Sequence, residues 1–185
     1  VKRVTHQAML ALAVFADEFK EVEALTQQQR FVANVLMTGI LNFNGHIGRS
    51  GEWAALISKH VLKQLASGKE FLECPKHKTC AQYGTAGKWL APGTWAAVKQ
   101  FIDLPTRGTG LFLEPSKETT KFVSVHTHLR KFCQVYTPGH QQWQVTLGRK
   151  YYASSVPNDK TGELAKKVIA AANQHKLSTA GKHYE

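Results

Sequence analysis

Apolar residues recur at helical spacing near the start of the chain, and this pattern constrains the fold more than any other feature. The residues form one stripe: Phe31, Val32, Val35, Leu36 and Ile40. Thr26 followed three residues later by Gln29 resembles a capping box, in which each side chain bonds the other's backbone N–H. The sequence therefore predicts an amphipathic helix that begins near Thr26 and buries this stripe.

A second helical pattern precedes it, over residues 5–23, and there we expect Leu10, Val14 and Phe15 to share one side. Further helices are predicted over residues 50–59, 95–102 and 162–173. Residues 61–90 contain short apolar runs separated by glycine and proline, which indicate a small antiparallel sheet with a tight turn. Residues 120–132 fit a strand or a helix equally well. The whole pattern predicts a mostly helical α+β fold.

The chain is strongly basic. Its 24 Lys and Arg residues outnumber 13 Asp and Glu residues, which gives a net charge of +11 and an isoelectric point near 9.7. Acidic side chains cluster at residues 17–23, whereas residues 107–150 contain almost none. This balance is typical of a nucleic-acid binder, and the uneven distribution predicts that the positive field is concentrated on one surface.

Secretion and membrane insertion are not favoured by the sequence. Three cysteines without a regular framework argue for a reducing compartment. The apolar stretch at residues 8–16 is too short to span a bilayer and leads into an acidic helical pattern instead of a cleavage site. We expect a nucleic acid as the partner and no membrane.

Four polar residues that lie far apart in the sequence suit attack on a DNA phosphodiester: Arg49, Arg149, His175 and Tyr184. Breaking this bond requires an oxygen nucleophile, positive charge on the non-bridging oxygens and a proton donor for the leaving hydroxyl. Arginine bonds phosphate in a bidentate manner and stays charged throughout. Two arginines can thus take the place of a metal ion, and a tyrosine can attack.

Two sequence boxes around these residues resemble those of the tyrosine recombinases, or phage-type integrases. The first is GRSGEWAAL at residues 48–56, and the second is NQHKLSTAGKHY at residues 173–184. The resemblance extends over about residues 25–184. It implies that residues 25–185 form the helical catalytic domain with a small sheet, and that residues 1–24 are an N-terminal helix or linker remnant. It also implies double-stranded DNA as the partner, a homotetramer on two DNA sites, and neither nucleotide nor metal cofactor.

Under this resemblance the residues receive specific roles. Arg49 matches the first arginine of an Arg-x-x-Glu box, with Glu52 orienting it. The segment KHKT at residues 76–79 resembles the hairpin turn that carries the catalytic lysine; Lys78 is preferred and Lys76 is the alternative. Arg149 matches the second arginine.

The last box supplies the remaining roles. His175 matches the His or Trp position before the nucleophile, and Tyr184 follows nine residues later as the nucleophile. Tyr151 and Tyr152 are rival nucleophiles, but they directly follow Arg149 and are better explained as residues that stabilise its helix.

One position departs from the family pattern. The family has His-x-x-Arg at the second arginine, but Thr146 stands three residues before Arg149. Either Lys78 and His175 carry the proton transfer, or a more distant histidine such as His140 reaches the site. Arg130 is a competing second arginine, although it lies farther from His175 than the pattern favours.

Several other functions remain open. A type IB topoisomerase would use the same late tyrosine, and a domesticated recombinase domain would bind DNA with reduced activity. Cys74, His77 and Cys80 are zinc-ligating residue types, but their spacing lacks a second pair. His126 and His128 are similar to the paired metal-binding histidines of rolling-circle and relaxase nucleases.

The sequences of residues 76–79 and 178–184 resemble those of Crypton- or DIRS-type transposon recombinases, which are eukaryotic. A protein of this type would act in the nucleus. Any other member of the tyrosine recombinase family would act in the cytoplasm.

Overall fold

The computed structural model of the chain describes residues 2–43, 71–74, 81, 86–105 and 125–140. Four α-helices lie in these ranges: α1 at Lys2–Glu18, α2 at Gln27–Phe43, α3 at Pro92–Ile102 and α4 at Val125–Tyr136. A 3₁₀ turn at Pro138–His140 follows α4. Two strands, β1 at Phe71–Cys74 and β2 at Ala86–Trp89, pair antiparallel with Phe71 opposite Trp89 and Cys74 opposite Ala86.

The start of α2 is set by the capping box that the sequence predicts. The Thr26 backbone N–H donates to Gln29 Oε1 at 2.7 Å, and the Gln29 N–H donates to Thr26 Oγ1 at 3.3 Å. These bonds satisfy two backbone donors that have no partner inside a helix. Arg30 adds a buried bond from Nη1 to the Leu25 carbonyl oxygen at 2.7 Å, which holds the preceding turn against the helix. The predicted helix start is confirmed.

Helix α2 is the centre of the described fold. Every residue from Ala33 to Phe43 is buried, and the helix contacts α1, α3 and α4. A helix that is buried on all sides must be covered by neighbours on all sides. The predicted stripe is confirmed at Val35, Leu36 and Ile40, whereas Val32 is 40% exposed.

Helix α1 buries a different side from the predicted one. Leu10 is 55% and Val14 is 66% exposed, whereas Ala8 and Leu12 are fully buried and Phe15 nearly so. The prediction is therefore wrong for Leu10 and Val14. The side that is buried contains Ala8, Leu12 and Phe15, and α1 packs against α2 and α3.

Helix α3 confirms the helix predicted over residues 95–102 and begins slightly earlier. Pro92 stands at its first position, where its missing N–H costs no hydrogen bond. The N–H groups of Thr94 and Trp95 donate to the carbonyl oxygen of Ala91 at 2.9 and 3.1 Å. Trp95, Val98 and Phe101 are among its buried residues.

The predicted α+β class is wrong for the part of the chain that the structure describes, which is a helical core. Each of its buried apolar side chains lies on one of the four helices or in a turn beside one, as Leu25, Leu90 and Leu104 do. The helical stripes cover one another, so this core requires no sheet layer. The ladder between β1 and β2 contains four residues on each strand, and a two-stranded ribbon of that length does not define a fold class.

Candidate functional site

All the residues assigned to the predicted catalytic site lie outside the described residues: Arg49, Glu52, Lys76, Lys78, Thr146, Arg149, His175 and Tyr184. Lys76 and Lys78 belong to the chain between β1 and β2 in sequence. The helices predicted over residues 50–59 and 162–173 also lie outside the described residues. The same is true of the side chains of three alternatives, His140, Tyr151 and Tyr152. These assignments stay predictions.

The described residues include one candidate segment, α4, which contains Arg130 and both histidines of the His126–Thr127–His128 pattern. The sequence left residues 120–132 open between strand and helix, and residues from Val125 onward are helical. Leu129, Phe132 and Cys133 are buried against α2 and its neighbours. Arg130, on the other hand, is exposed.

His128 is a neutral residue of the helix interface. Its side chain is only 5% exposed, and its ring meets Phe31 of α2 edge to face with the centroids 5.2 Å apart. Burial lowers the pKa of His128 from 6.5 to about 4, because the charged imidazole loses its hydration. Its Nδ1 has no hydrogen-bond partner in the described part of the chain. At neutral pH this imidazole therefore contributes packing and no positive charge.

The two histidines of α4 do not form a metal-binding pair. Residues two apart on an α-helix point about 200° from each other. Accordingly, His126 is exposed and His128 is buried. The described ranges contain no group of three or more His, Cys, Asp and Glu residues that could hold a metal ion. Of the zinc-ligating residue types noted in the sequence, His77 and Cys80 lie outside the description.

The end of α4 holds two further titratable groups, the Cys133 thiol and the Tyr136 phenol. Burial raises the pKa of the Cys133 thiol, while a hydrogen bond from Thr137 lowers it. Burial also raises the pKa of Tyr136, whose ring stacks on Phe132 with the centroids 4.6 Å apart. Both groups therefore favour their protonated, uncharged forms.

The outward side of α4 forms a polar surface, the α4 outer face. It contains the exposed residues His126, Thr127, Arg130, Lys131, Gln134 and Val135. They follow the helix in two rows of four-residue spacing, so they share one side of it. The helix contains no acidic residue. Arg130 and Lys131 form no ion pair with any residue that the structure describes.

A buried polar row along α2 was missed by the sequence reasoning. Its members recur every four residues and are at most 9% exposed: Arg30, Asn34, Thr38 and Asn42. Residues at this spacing lie on one side of a helix. Reading the polar residues with the same periodicity as the apolar stripe would have found the row. The Thr38 hydroxyl lacks a hydrogen-bond partner among the described residues.

Comparison of the chain with protein-family models, curated proteins and solved structures gave no match. Within the described ranges, no helix has the length and apolar character needed to cross a membrane. Function is therefore inferred from the sequence boxes and from the surfaces that the described residues form.

Proposed function

We propose that the chain is the catalytic domain of a site-specific DNA recombinase that cleaves and rejoins strands through a 3′-phosphotyrosine intermediate. The observation that carries the proposal is the order of the two sequence boxes, one around Arg49 and one from His175 to Tyr184. The net charge of +11 supports it, because duplex DNA carries a dense array of phosphates.

The proposed reaction exchanges one phosphodiester for another. The Tyr184 phenol releases its proton to water as its oxygen attacks phosphorus. The bond from phosphorus to the 5′ oxygen breaks, and Lys78 donates the proton that this oxygen takes up. Arg49 and Arg149 donate hydrogen bonds to the non-bridging oxygens, where charge accumulates. His175 adds a hydrogen bond at the same phosphate. A 5′-hydroxyl from the partner strand then attacks the phosphotyrosine and releases Tyr184.

We further propose that a homotetramer performs this exchange on two DNA sites. If the protein belongs to a eukaryotic mobile element of the Crypton or DIRS type, it acts in the nucleus; otherwise it acts in the cytoplasm. The proposed chemistry requires no nucleotide or metal, because the two arginines supply the positive charge at the phosphate.

A nicked suicide substrate tests the chemistry. In this substrate the short strand beyond the scissile phosphate diffuses away after cleavage and traps the covalent complex. We expect a protein–DNA adduct that forms in EDTA, resists denaturation and is absent in Tyr184→Phe. An adduct that persists in Tyr184→Phe, or that requires a divalent metal, would contradict the mechanism. Relaxation of supercoiled plasmid by a monomer would instead identify a type IB topoisomerase.

The second arginine can be identified in the same assay. Arg149→Ala should lower the rate of adduct formation by on the order of 10²–10³, the typical effect of removing one preorganised donor. Arg130→Ala is the matched comparison, because Arg130 is exposed on α4 and was the competing assignment. At saturating DNA, where weaker binding does not limit the rate, a loss confined to Arg130→Ala would transfer the role to that residue.

A DNA-binding domain with reduced catalytic activity is the second candidate. It is favoured by Thr146, which cannot act as an imidazole acid or base at the position where the resembled family has histidine. Specific DNA binding without any adduct, in a protein that folds cooperatively, would support this candidate over the recombinase.

A further inference from the structure

We propose that the α4 outer face binds the phosphate backbone of duplex DNA. This inference deepens the proposed function and relies on it for the identity of the polyanion. Arg130 and Lys131 supply the charge, and Gln134 supplies a hydrogen-bonding group on the same face. Arginine, lysine and glutamine side chains are all common donors to DNA phosphates.

The charge of this face is uncompensated within the described residues. Arg130 and Lys131 are adjacent and exposed, and α4 contains no carboxylate. The region at the end of α1 differs, because Lys20 Nζ lies 2.8 Å from Asp17 Oδ1 and other acidic residues follow nearby. A polyanion therefore meets attraction at α4 and opposing charges at the end of α1.

The dimensions of the face suit a duplex. The row from His126 to Gln134 extends over about 12 Å, at the 1.5 Å rise per residue of an α-helix. Each strand of duplex DNA carries one phosphate per about 3.4 Å of helix axis. A face of this length can therefore lie beside more than one phosphate while the other side of α4 stays in the protein core.

The face is also held rigidly. Directly beneath it, Phe132 is fully buried, lies against Gly39 of α2 and stacks on Tyr136. Leu129, the neighbour of Arg130, is 1% exposed. The backbone that carries Arg130 and Lys131 is thereby fixed before DNA arrives, which lowers the entropy cost of binding.

The experiment measures non-covalent binding in the full chain with Tyr184→Phe, so that adduct formation does not contribute. Fluorescence anisotropy with a labelled duplex is recorded over a range of salt concentrations. The test variant is Arg130→Gln/Lys131→Gln. The matched control is Arg3→Gln/Lys20→Gln, which removes the same formal charge from exposed positions on or beside α1.

We expect the test variant to reduce the slope of log affinity against log salt by about 1.8, because each neutralised phosphate contributes about 0.9. The control should change the slope by less than half as much. A charge-preserving variant, Arg130→Lys/Lys131→Arg, should retain most of the slope. Thermal melting followed by circular dichroism verifies that each variant is folded.

Equal slope changes in the test and control variants would overturn the inference, as would tighter binding of a matched RNA duplex than of DNA. The adduct assay separates this inference from the proposed function. Adduct formation with an unchanged slope in the test variant would refute the role of α4 and leave the recombinase proposal intact. A slope that depends on α4, with no adduct in the Tyr184-containing chain, would refute the recombinase proposal alone.

Discussion

Replacing Gly39 by alanine tests the contact between α2 and α4 on which the described core depends. Gly39 lies in the middle of α2, and a Cβ atom added there would overlap three ring carbons of Phe132. The Phe132 ring is fully buried, its centroid lies 5.5 Å from that of Phe43, and it stacks on Tyr136. Aromatic neighbours on two sides restrict its movement, so the overlap must be relieved by separating the helices.

Two effects of opposite sign determine how far Gly39→Ala changes the free energy of unfolding. Alanine is a better helix former than glycine by about 1 kcal/mol. Overpacking a close-packed core costs about 1–3 kcal/mol, and overlap with several ring atoms favours the upper half of that range. The free energy of unfolding should therefore fall by about 1–2 kcal/mol. For a domain of this size, each kcal/mol lowers the melting temperature by about 2–4 °C.

Gly93→Ala is the matched control, since it makes the same chemical change near the start of α3. An added Cβ there would have only the Met9 sulfur within 4 Å, at an ordinary contact distance of 3.8 Å. We expect urea unfolding to show Gly93→Ala as stable as the wild-type chain or more stable, and Gly39→Ala as less stable. Stabilisation by Gly39→Ala would refute the close contact between α2 and α4.

A double-mutant cycle identifies the cause of any loss of stability in Gly39→Ala. Phe132→Leu removes ring atoms and should destabilise the wild-type chain by creating a cavity. If the Cβ of the alanine at position 39 contacts this ring, Phe132→Leu should lower the free energy of unfolding less in the Gly39→Ala background than in the wild-type chain. The coupling free energy should be on the order of 1 kcal/mol. Additive effects would show that residues 39 and 132 do not touch.

Two further predictions concern buried polar groups. Because burial lowers the pKa of His128 from 6.5 to about 4, the unfolded chain binds the extra proton first as the pH falls. The contribution of neutral His128 to the free energy of unfolding should be fully present above pH 6.5 and should fall by up to about 3 kcal/mol towards pH 4. Urea titrations at different pH values should show a smaller fall in His128→Leu. Thr38→Val replaces a buried hydroxyl that lacks a described partner, so it should raise the free energy of unfolding by about 1 kcal/mol; a clear decrease in thermal melting would reveal a hydrogen bond.

The sequence predicts the start of α2 well because that signal is local. The capping bonds between Thr26 and Gln29 join residues three apart, and no other part of the chain is needed to form them. The proline at the start of α3 acts over a similarly short distance. Both features could be inferred from residue types and spacing alone.

Which side of a helix is buried depends on distant elements, and here the sequence reasoning failed. Helix α1 has two apolar rows, one with Leu10 and Val14 and the other with Ala8 and Leu12. Helical spacing alone fits either row, but α2 and α3 cover the second. The spacing within one helix does not contain the position of the helices that pack against it.

The nature of α4 was also decided by tertiary contacts. Valine, threonine and histidine near its start favour a strand as much as a helix, whereas Leu129, Phe132 and Cys133 have helical spacing. Contact with α2 buries the helical set together. The predicted catalytic residues depend on a resemblance of sequence boxes, and the described contacts neither join nor separate them.

The departure from the resembled family at Thr146 does not depend on which arginine is chosen. If Arg130 replaces Arg149 as the second arginine, the residue three positions before it is Thr127, so the pattern is again Thr-x-x-Arg. His128 cannot serve in its place, because its imidazole is buried at the helix interface against Phe31. Under either assignment the second arginine comes without its histidine. Proton transfer in the proposed reaction then requires groups from elsewhere in the chain, either Lys78 and His175 or a more distant histidine such as His140.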